Sequence, residues 1–137
     1  MDLDDARDYL RHNHHAVLAT LRRDGTPQMS PVGVAVDDEG RAIISSRETA
    51  IKTKNVRRHP RAWVCVFPDS FWSERFVQVE GDVTVVSLPD AMEPLVDYYR
   101  KISGEHPDWD DYRGAMAREQ RVLLRLELTR AGPDVAG

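Results

Sequence analysis

The sequence predicts a mainly β protein with peripheral helices, built as a six-stranded antiparallel barrel that is closed or half-closed. Apolar and polar residues alternate in several segments, most clearly over residues 75–87 and 121–128, and such alternation is typical of half-buried strands. Turn signals join neighbouring segments at Asp24-Gly25 and over residues 37–40. A small barrel satisfies this pattern best, because a curled sheet leaves few strand edges unpaired.

Each predicted element follows from a local pattern. The six strands are residues 16–21, 28–36, 41–46, 61–67, 75–87 and 121–128, and the first three would form a meander. The helices are residues 4–12, a short one that Thr49 would cap, one from Pro89 through Ile102, and one that begins at Trp109. Residues 68–74 form a loop with Phe71 and Trp72. The 137 residues make one domain with its core at about residues 10–128 and a loose tail over residues 129–137.

The composition narrows the class of protein. Hydrophobic residues at 41% and charged residues at 31% are typical of a water-soluble domain. The chain shows no run of 18 apolar residues and no signal-peptide pattern, and its single cysteine, Cys65, cannot form an internal disulfide, so we expect a cytoplasmic protein without membrane contact. Motifs of serine hydrolases, zinc proteases, P-loop enzymes and Rossmann reductases are absent, and no metal site is expected.

Residues 45–67 concentrate positive charge in a chain whose formal net charge is -4. The cations of this segment are Arg47, Lys52, Lys54, Arg57, Arg58 and Arg61, against the single acid Glu48. The pattern of the segment predicts a strand, a basic helix and a second strand. The N-terminus of a helix beside the end of a strand can bind a phosphate, because its N–H groups are free. A solvated basic helix is the alternative interpretation. Nucleic acid is a poor partner, since the pI is about 5.7 and no aromatic residues interleave with the cations.

Three fragments, in this order, resemble one known superfamily. They are PQMSPVGVAVD at residues 27–37, KTKNVRRHPRAWVCV at residues 52–66 and VQVEGDVTVV at residues 77–86. Together they resemble the flavin/deazaflavin oxidoreductases with the split β-barrel of pyridoxamine 5′-phosphate oxidase and FMN-binding proteins. The ending EHPDWDDYRGAMAREQRVLLRLEL resembles more narrowly the actinobacterial branch that uses coenzyme F420, an 8-hydroxy-5-deazaflavin.

The resemblance implies a homodimer with two cofactor sites at the subunit interface. Lys52 matches the phosphate-binding lysine of the family, with Thr53, Lys54 and Arg57 as weaker candidates. The remaining implied cofactor-binding residues are Ser45 and Ser46 at the end of the third strand, Ser30, Pro31 and Val32 on the ring-facing edge of the second, and Trp72 and Gln78 in the region offered by the partner subunit.

The sequence also departs from the oxidase itself. Ala50-Ile51-Lys52 stands where that enzyme has Ser-Arg-Lys, and the C-terminal Arg-Leu-x-Pro segment is absent, so oxidation of pyridoxamine phosphate is not expected. The resemblance favours an F420-dependent oxidoreductase that transfers a hydride to or from an activated double bond of a small organic substrate. The alternatives are an FMN-binding oxidoreductase or flavin-binding protein, and a non-catalytic module that binds a cofactor or haem.

Overall fold

A curled antiparallel sheet dominates the computed structural model, which describes residues 1–72 and 75–133. The strands in these residues are β1 (His15–Leu21), β2 (Pro27–Gly33), β3 (Ala35–Val36), β4 (Ala42–Arg47), β5 (Arg61–Phe67), β6 (Val77–Val86) and β7 (Arg121–Gly132). The helices are α1 (Leu3–His12), α2 (Ile51–Arg58), α3 (Met92–Ser103) and α4 (Trp109–Arg118). None of these helices is long and apolar enough to cross a membrane.

The order of the strands shows how the sheet curls into a half-barrel. Along the sheet the order is β2-β1-β5-β6-β7-β4-β3, so β2 and β3 lie at opposite edges although only Val34 separates them in sequence. A chain can pass directly from one edge to the other only if the two edges approach each other, and β2 does contact β4. The predicted mainly β, barrel-like fold is therefore confirmed.

The structure corrects two of the predicted strands. The strand expected over residues 28–36 is divided at Val34, because Val34, Ala35 and Val36 are all buried where the chain crosses between edges. Both hairpins of the predicted meander are present, since β1 pairs with β2 and β3 pairs with the first residues of β4. The prediction did not include the second neighbour of β4, which pairs along its whole length with β7, from Ala42 opposite Leu126 to Arg47 opposite Arg121.

The loose tail predicted over residues 129–137 begins later in the structure. Strand β7 continues through residues 129–132, where it pairs with the first residues of β6. Residues 134–137 of the expected tail, and residues 73 and 74 of the expected loop, lie outside the described residues.

Two apolar clusters hold the elements together. The larger fills the half-barrel and includes Leu10 of α1, Leu18 of β1 and Leu124 of β7. The smaller joins the outer face of β4 and β7 to α3 and α4, with Ile43 and Leu95 fully buried. Helix α3 is thereby fixed against the sheet beside the crossing at Val34, and this arrangement shapes the site described below.

Gly81 provides a test of the register between β6 and β7. A Cβ atom at this position would lie 2.2 Å from the backbone carbonyl oxygen of Glu127, beside a bulge at Glu80 and Gly81. We expect Gly81→Ala to lower the free energy of unfolding by about 3 kcal/mol, because backbone atoms of a paired strand cannot move aside. Urea denaturation followed by circular dichroism would measure the change. The exposed Thr84→Ala on the same strand is the control, with a loss of less than about 1 kcal/mol, and equal stabilities of the two variants would contradict the pairing.

Candidate functional site

Helix α2 begins without a side-chain cap. Ala50 is the N-cap residue, so the predicted cap at Thr49 is wrong. The first bond of the helix runs from the N–H of Lys54 to the carbonyl oxygen of Ala50, at 3.1 Å. The N–H groups of the first turn therefore have no partner within the helix, and they carry the partial positive charge of the helix dipole.

Two buried hydroxyl groups fix this helix to β4. The Thr53 hydroxyl donates to the Arg47 carbonyl oxygen at 2.6 Å, and the Ser46 hydroxyl oxygen lies 2.8 Å from that of Thr53. Since the single Thr53 proton is used on the carbonyl, Ser46 is the donor in the second bond. Ser46 and Thr53 thus bind each other, and they hold the start of α2 in place beside the end of β4.

Three cations converge at this helix N-terminus, and we call Arg47, Lys52 and Arg121 the cationic cluster. Arg47 and Arg121 lie opposite each other on β4 and β7, and both donate to Glu119, at 2.8 and 2.9 Å. Partial burial, and then the charges of Arg121 and Arg47, lower the pKa of Lys52. Three positive charges therefore face one carboxylate, an excess that suits an anionic ligand.

Buried polar atoms point to the same conclusion. The Arg121 Nε atom is buried without a hydrogen-bond partner among the described residues, and the same is true of the Ser30 Oγ atom and the Gln28 Oε1 atom on β2. Buried polar groups in folded proteins are nearly always satisfied, so unpartnered ones mark places where a ligand or water binds. A phosphate at the cationic cluster and a polar ring edge along β2 fit these atoms.

Tyr98 of α3 connects the two strands that the resemblance places along the cofactor ring. Its hydroxyl donates to the Gly33 carbonyl oxygen at the end of β2, at 3.0 Å, and lies near the backbone of Ser45 on β4. Burial raises the pKa of this phenol. A Cβ atom on Gly33 would lie 2.9 Å from the Tyr98 oxygen, so glycine is what permits the close approach of α3.

The second predicted strand lies at the edge next to β4. Ser30, Pro31 and Val32 belong to β2 and pair with β1, and the Pro31 side chain is exposed. Because β2 contacts β4, these residues share one side of the barrel with Ser45 and Ser46. The structure thus brings together the predicted residues of the second strand, the third strand and the start of α2.

Four predicted residues lie apart from the cationic cluster. Lys54 points to solvent, and Arg57 is bound to Glu48 at 2.8 Å and to Ser87 at 3.0 Å. Trp72 follows the far end of β5, away from α2. Gln78 lies eight residues along β6 from Val86, which pairs with Leu123 near the cluster, a separation of about 27 Å at the rise of a strand.

Sequence reasoning missed Arg121 and Tyr98. The signal for Arg121 is a like-charge pair, since two arginines directly opposite on antiparallel strands repel each other unless an anion is present. That signal becomes visible only when β4 is paired with β7, and the predicted meander did not include this second neighbour of β4. Tyr98 lies within the helix predicted from Pro89 through Ile102, and no motif in the sequence marks it.

Comparison with known proteins identifies related chains. The family model described as pyridoxamine 5′-phosphate oxidase matches residues 3–132. The structure is similar to the conserved hypothetical protein Rv2991 from Mycobacterium tuberculosis, with 25% sequence identity and a TM-score of 0.77 over 96% of this chain and 82% of that one. It is also similar to an F420 reductase, at 21% identity and a TM-score of 0.72, with 92% and 94% of the two chains covered.

A third similar structure is a pyridoxamine 5′-phosphate oxidase-related, FMN-binding protein from Nostoc punctiforme. Its identity is 17% and its TM-score 0.61, with 94% of this chain and 78% of that chain covered. At such identities the likeness to the F420 reductase and to the FMN-binding protein shows a shared fold. The choice of cofactor therefore depends on the residues of this chain.

Repulsion among the three cations of the cationic cluster should destabilise the ligand-free protein. Lys52→Met keeps the length of the side chain and removes the charge, so we expect the melting temperature at neutral pH and low salt to rise by about 2 °C. Because the folded-state pKa of Lys52 is lowered, its charge opposes folding below that pKa, and the gain should shrink as the pH rises through it. Differential scanning fluorimetry at several pH values measures this gain. Lys54→Met is the control, and equal melting temperatures for the two variants would contradict repulsion at Lys52.

Proposed function

The chain belongs to the pyridoxamine 5′-phosphate oxidase family, and from that premise we propose that it is a coenzyme F420-dependent oxidoreductase acting on an activated double bond of a small organic substrate. The fold is that of the flavin-binding oxidoreductases of this family. The observation that supports the proposal is the cationic cluster at the uncapped N-terminus of α2. An anionic tail that carries a phosphate is the ligand for which this combination of charge and free N–H groups is suited.

Each group of residues has a role in this proposal. Arg47, Lys52 and Arg121 would bind the phosphate, and Ser46 with Thr53 would keep α2 in position for it. The edge of β2 at Ser30, with its unpartnered hydroxyl oxygen, would bind the polar edge of the ring. When bound, the deazaflavin would supply or accept a hydride at its ring carbon, so the protein needs to position the substrate and requires no nucleophile.

The charge of the site favours F420 over FMN. FMN ends in one phosphate, whereas F420 continues beyond its phosphate into an acidic oligoglutamate tail. The cluster has more positive charge than Glu119 can balance, and this excess suits a ligand that carries acidic groups beyond its phosphate. FMN is the second candidate, since a similar structure is that of an FMN-binding protein.

We also propose that the protein is a homodimer with each site completed by the partner subunit. Trp72 is 90% exposed and Phe71 66% exposed, and a monomer would leave both aromatic rings in water. Within one chain Trp72 and Gln78 are remote from Lys52, so they would reach the ring only from a second copy. In such a dimer, Trp72 and Gln78 of each chain would contact the cofactor ring bound by the other chain.

Binding titrations test the choice of cofactor. We expect F420 to bind more tightly than FMN, and Lys52→Met to weaken F420 binding by about 1.5 to 3 kcal/mol, because a charge-assisted hydrogen bond to the phosphate is lost. Quenching of tryptophan fluorescence and of the cofactor's own emission measures both affinities. Lys54→Met is the matched control and should cost less than about 1 kcal/mol. Tighter binding of FMN than of F420 would indicate a flavin-dependent protein. Equal losses of F420 affinity in the two variants would show that Lys52 has no specific role in binding the phosphate.

Mixing two binding-defective variants tests whether each cofactor site is formed by residues of two chains. Light scattering should give twice the 15.6 kDa mass of the chain. Lys52→Met and Trp72→Ala should each bind F420 weakly as homodimers. After random exchange of subunits, about one quarter of the sites should regain wild-type affinity, because each mixed dimer contains one site with both residues intact. A monomeric mass, or no recovery on mixing, would contradict the shared site.

A further inference from the structure

A separate concave site lies beside the free edge of β3. It is a cavity of about 390 Å³ between the end of α1, strand β3 with the turn that follows it, and α3. This volume is at the lower end of the range for ligand sites, so the cavity suits a small molecule. Its lining residues are Arg11, His14, Ala35, Val36, Asp37, Asp38 and Lys101. The proposed cofactor site includes none of these residues.

The backbone N–H and C=O groups of Val36 are available to a ligand in this cavity. In the hairpin of β3 and β4, the Asp37 N–H donates to the Arg41 carbonyl oxygen at 2.9 Å. Backbone groups of successive residues in a strand point to opposite sides, so Val36 directs its N–H and C=O away from β4. Val36 is only 4% exposed, and neither group has a hydrogen-bond partner among the described residues. Buried backbone groups are nearly always paired in folded proteins, so these two mark a place where a small molecule or water binds.

The position of α1 explains why these two groups are unpaired. The ladder between β1 and β2 continues for one pair beyond Gly33, since the Val34 N–H donates to the His14 carbonyl oxygen at 2.9 Å. A longer β1 would next pair with Val36, but the chain before His14 is helical, because α1 extends to His12. The cavity thus takes the place of a missing strand segment. A ligand there has to offer an acceptor to the N–H and a donor to the C=O.

Lys101 and Asp38 place two opposite, weakly paired charges in the same cavity. Lys101 Nζ lies 3.4 Å from Asp38 Oδ1 and 3.6 Å from Asp97 Oδ2. Charge-assisted hydrogen bonds are shorter, at about 2.7 to 2.9 Å, so the ammonium group of Lys101 can still bind a further acceptor. The Asp38 side chain is 94% exposed, and the described residues give it no partner besides Lys101.

The other charges that line the cavity are already used. The Asp37 carboxylate accepts from the N–H groups of Glu39 and Arg41 and from Arg41 Nε, at 2.9 to 3.0 Å. Arg11 is paired with Asp8 at 2.6 Å. The cavity is therefore left with one available cation, one available anion and one pair of backbone groups.

We propose that this cavity binds a small neutral α-amino acid as its zwitterion. The carboxylate of the ligand would accept from the Val36 N–H and from Lys101. Its ammonium group would donate to the Val36 carbonyl oxygen and to Asp38. Each charged group of the ligand would thereby meet one opposite charge and one backbone group. A neutral side chain fits, because the remaining lining charges have partners within the chain.

Other classes of ligand satisfy fewer of these groups. A purely anionic molecule would bring its charge close to Asp38. Clusters of side chains that could hold a metal ion are absent from the part of the chain that the structure describes. An added peptide strand would find only the groups of Val36 on this edge, because those of Ala35 and Asp37 point to β4.

This site lies apart from the proposed cofactor site. Val36 is opposite Ala42 at the start of β4, whereas Arg47 ends that strand about 17 Å further along, at the rise of a strand. A bound amino acid would stabilise the folded protein without occupying the cationic cluster. The proposal can therefore be tested without the cofactor, and its failure would leave the proposed function standing.

An NMR titration tests the class of ligand. L-alanine added to the ¹⁵N-labelled, ligand-free full chain should shift the amide signals of Val36 and Asp38 in a saturable manner, with a Kd of about 1 mM or lower. Propionate lacks the ammonium group and ethylamine lacks the carboxylate, so each should bind at least about tenfold more weakly than L-alanine, because one charge-assisted contact is lost. Absence of a saturable shift with L-alanine, or equal affinities for L-alanine and propionate, would overturn the proposal.

Variants of the two available charges test the residues. Lys101→Met and Asp38→Asn should each weaken the binding of L-alanine about tenfold or more. Asp38→Asn should also bind propionate at least as tightly as L-alanine, because the carboxylate that attracts the ammonium group is gone. Surface ion pairs contribute little to stability, so both variants should keep the circular dichroism spectrum of the wild type. Lys54→Met changes an exposed lysine outside the cavity and is the matched control. Unchanged affinity for L-alanine in either Lys101→Met or Asp38→Asn would overturn this arrangement of the ligand.

Discussion

The crossing of the chain at Val34 is the constraint on which the rest of the structure depends. With one residue between β2 and β3, the two edges of the sheet have to approach each other, and the sheet has to curl. The Val34 N–H donates to the His14 carbonyl oxygen at 2.9 Å, and the Tyr98 hydroxyl donates to the Gly33 carbonyl oxygen beside the crossing at 3.0 Å. Closure in this way brings β2 beside β4, and so places a strand edge next to the cationic cluster.

Much of the fold follows from local patterns in the sequence. Alternation predicted β6 and most of β7, and the Asp24-Gly25 turn predicted the pairing of β1 with β2. Alternation fails at Val34, Ala35 and Val36, because a crossing chain is covered on both sides. The pairing of β4 with β7 joins residues 42–47 to residues 121–126, and no turn lies between segments so distant in sequence to reveal it.

The sequence points to a candidate site at Lys52, where a high density of positive charge lies in one of the fragments that resemble the family. A run of cations does not reveal which of its members are already paired, and here Arg57 binds Glu48 while Arg58 donates to the Leu21 carbonyl oxygen. The cations near Lys52 are Arg47, at the beginning of the run, and Arg121 from β7, and these two share the single carboxylate of Glu119. Their meeting is a product of the sheet topology, so a reading of adjacent residues could not include Arg121.

The arrangement of like charges is itself an argument for a ligand. Partial burial, and then the charges of Arg121 and Arg47, lower the pKa of Lys52 and so disfavour its charged form, and Glu119 balances one charge of the three. A sequence shaped by stability alone would replace one of these cations, since violations of local rules in folded proteins concentrate at functional sites. An anion bound between them would remove the repulsion and would give the Arg121 Nε atom a hydrogen-bond acceptor. Binding of such an anion would therefore stabilise the fold, because the charges that repel one another in the free protein would each contact the ligand.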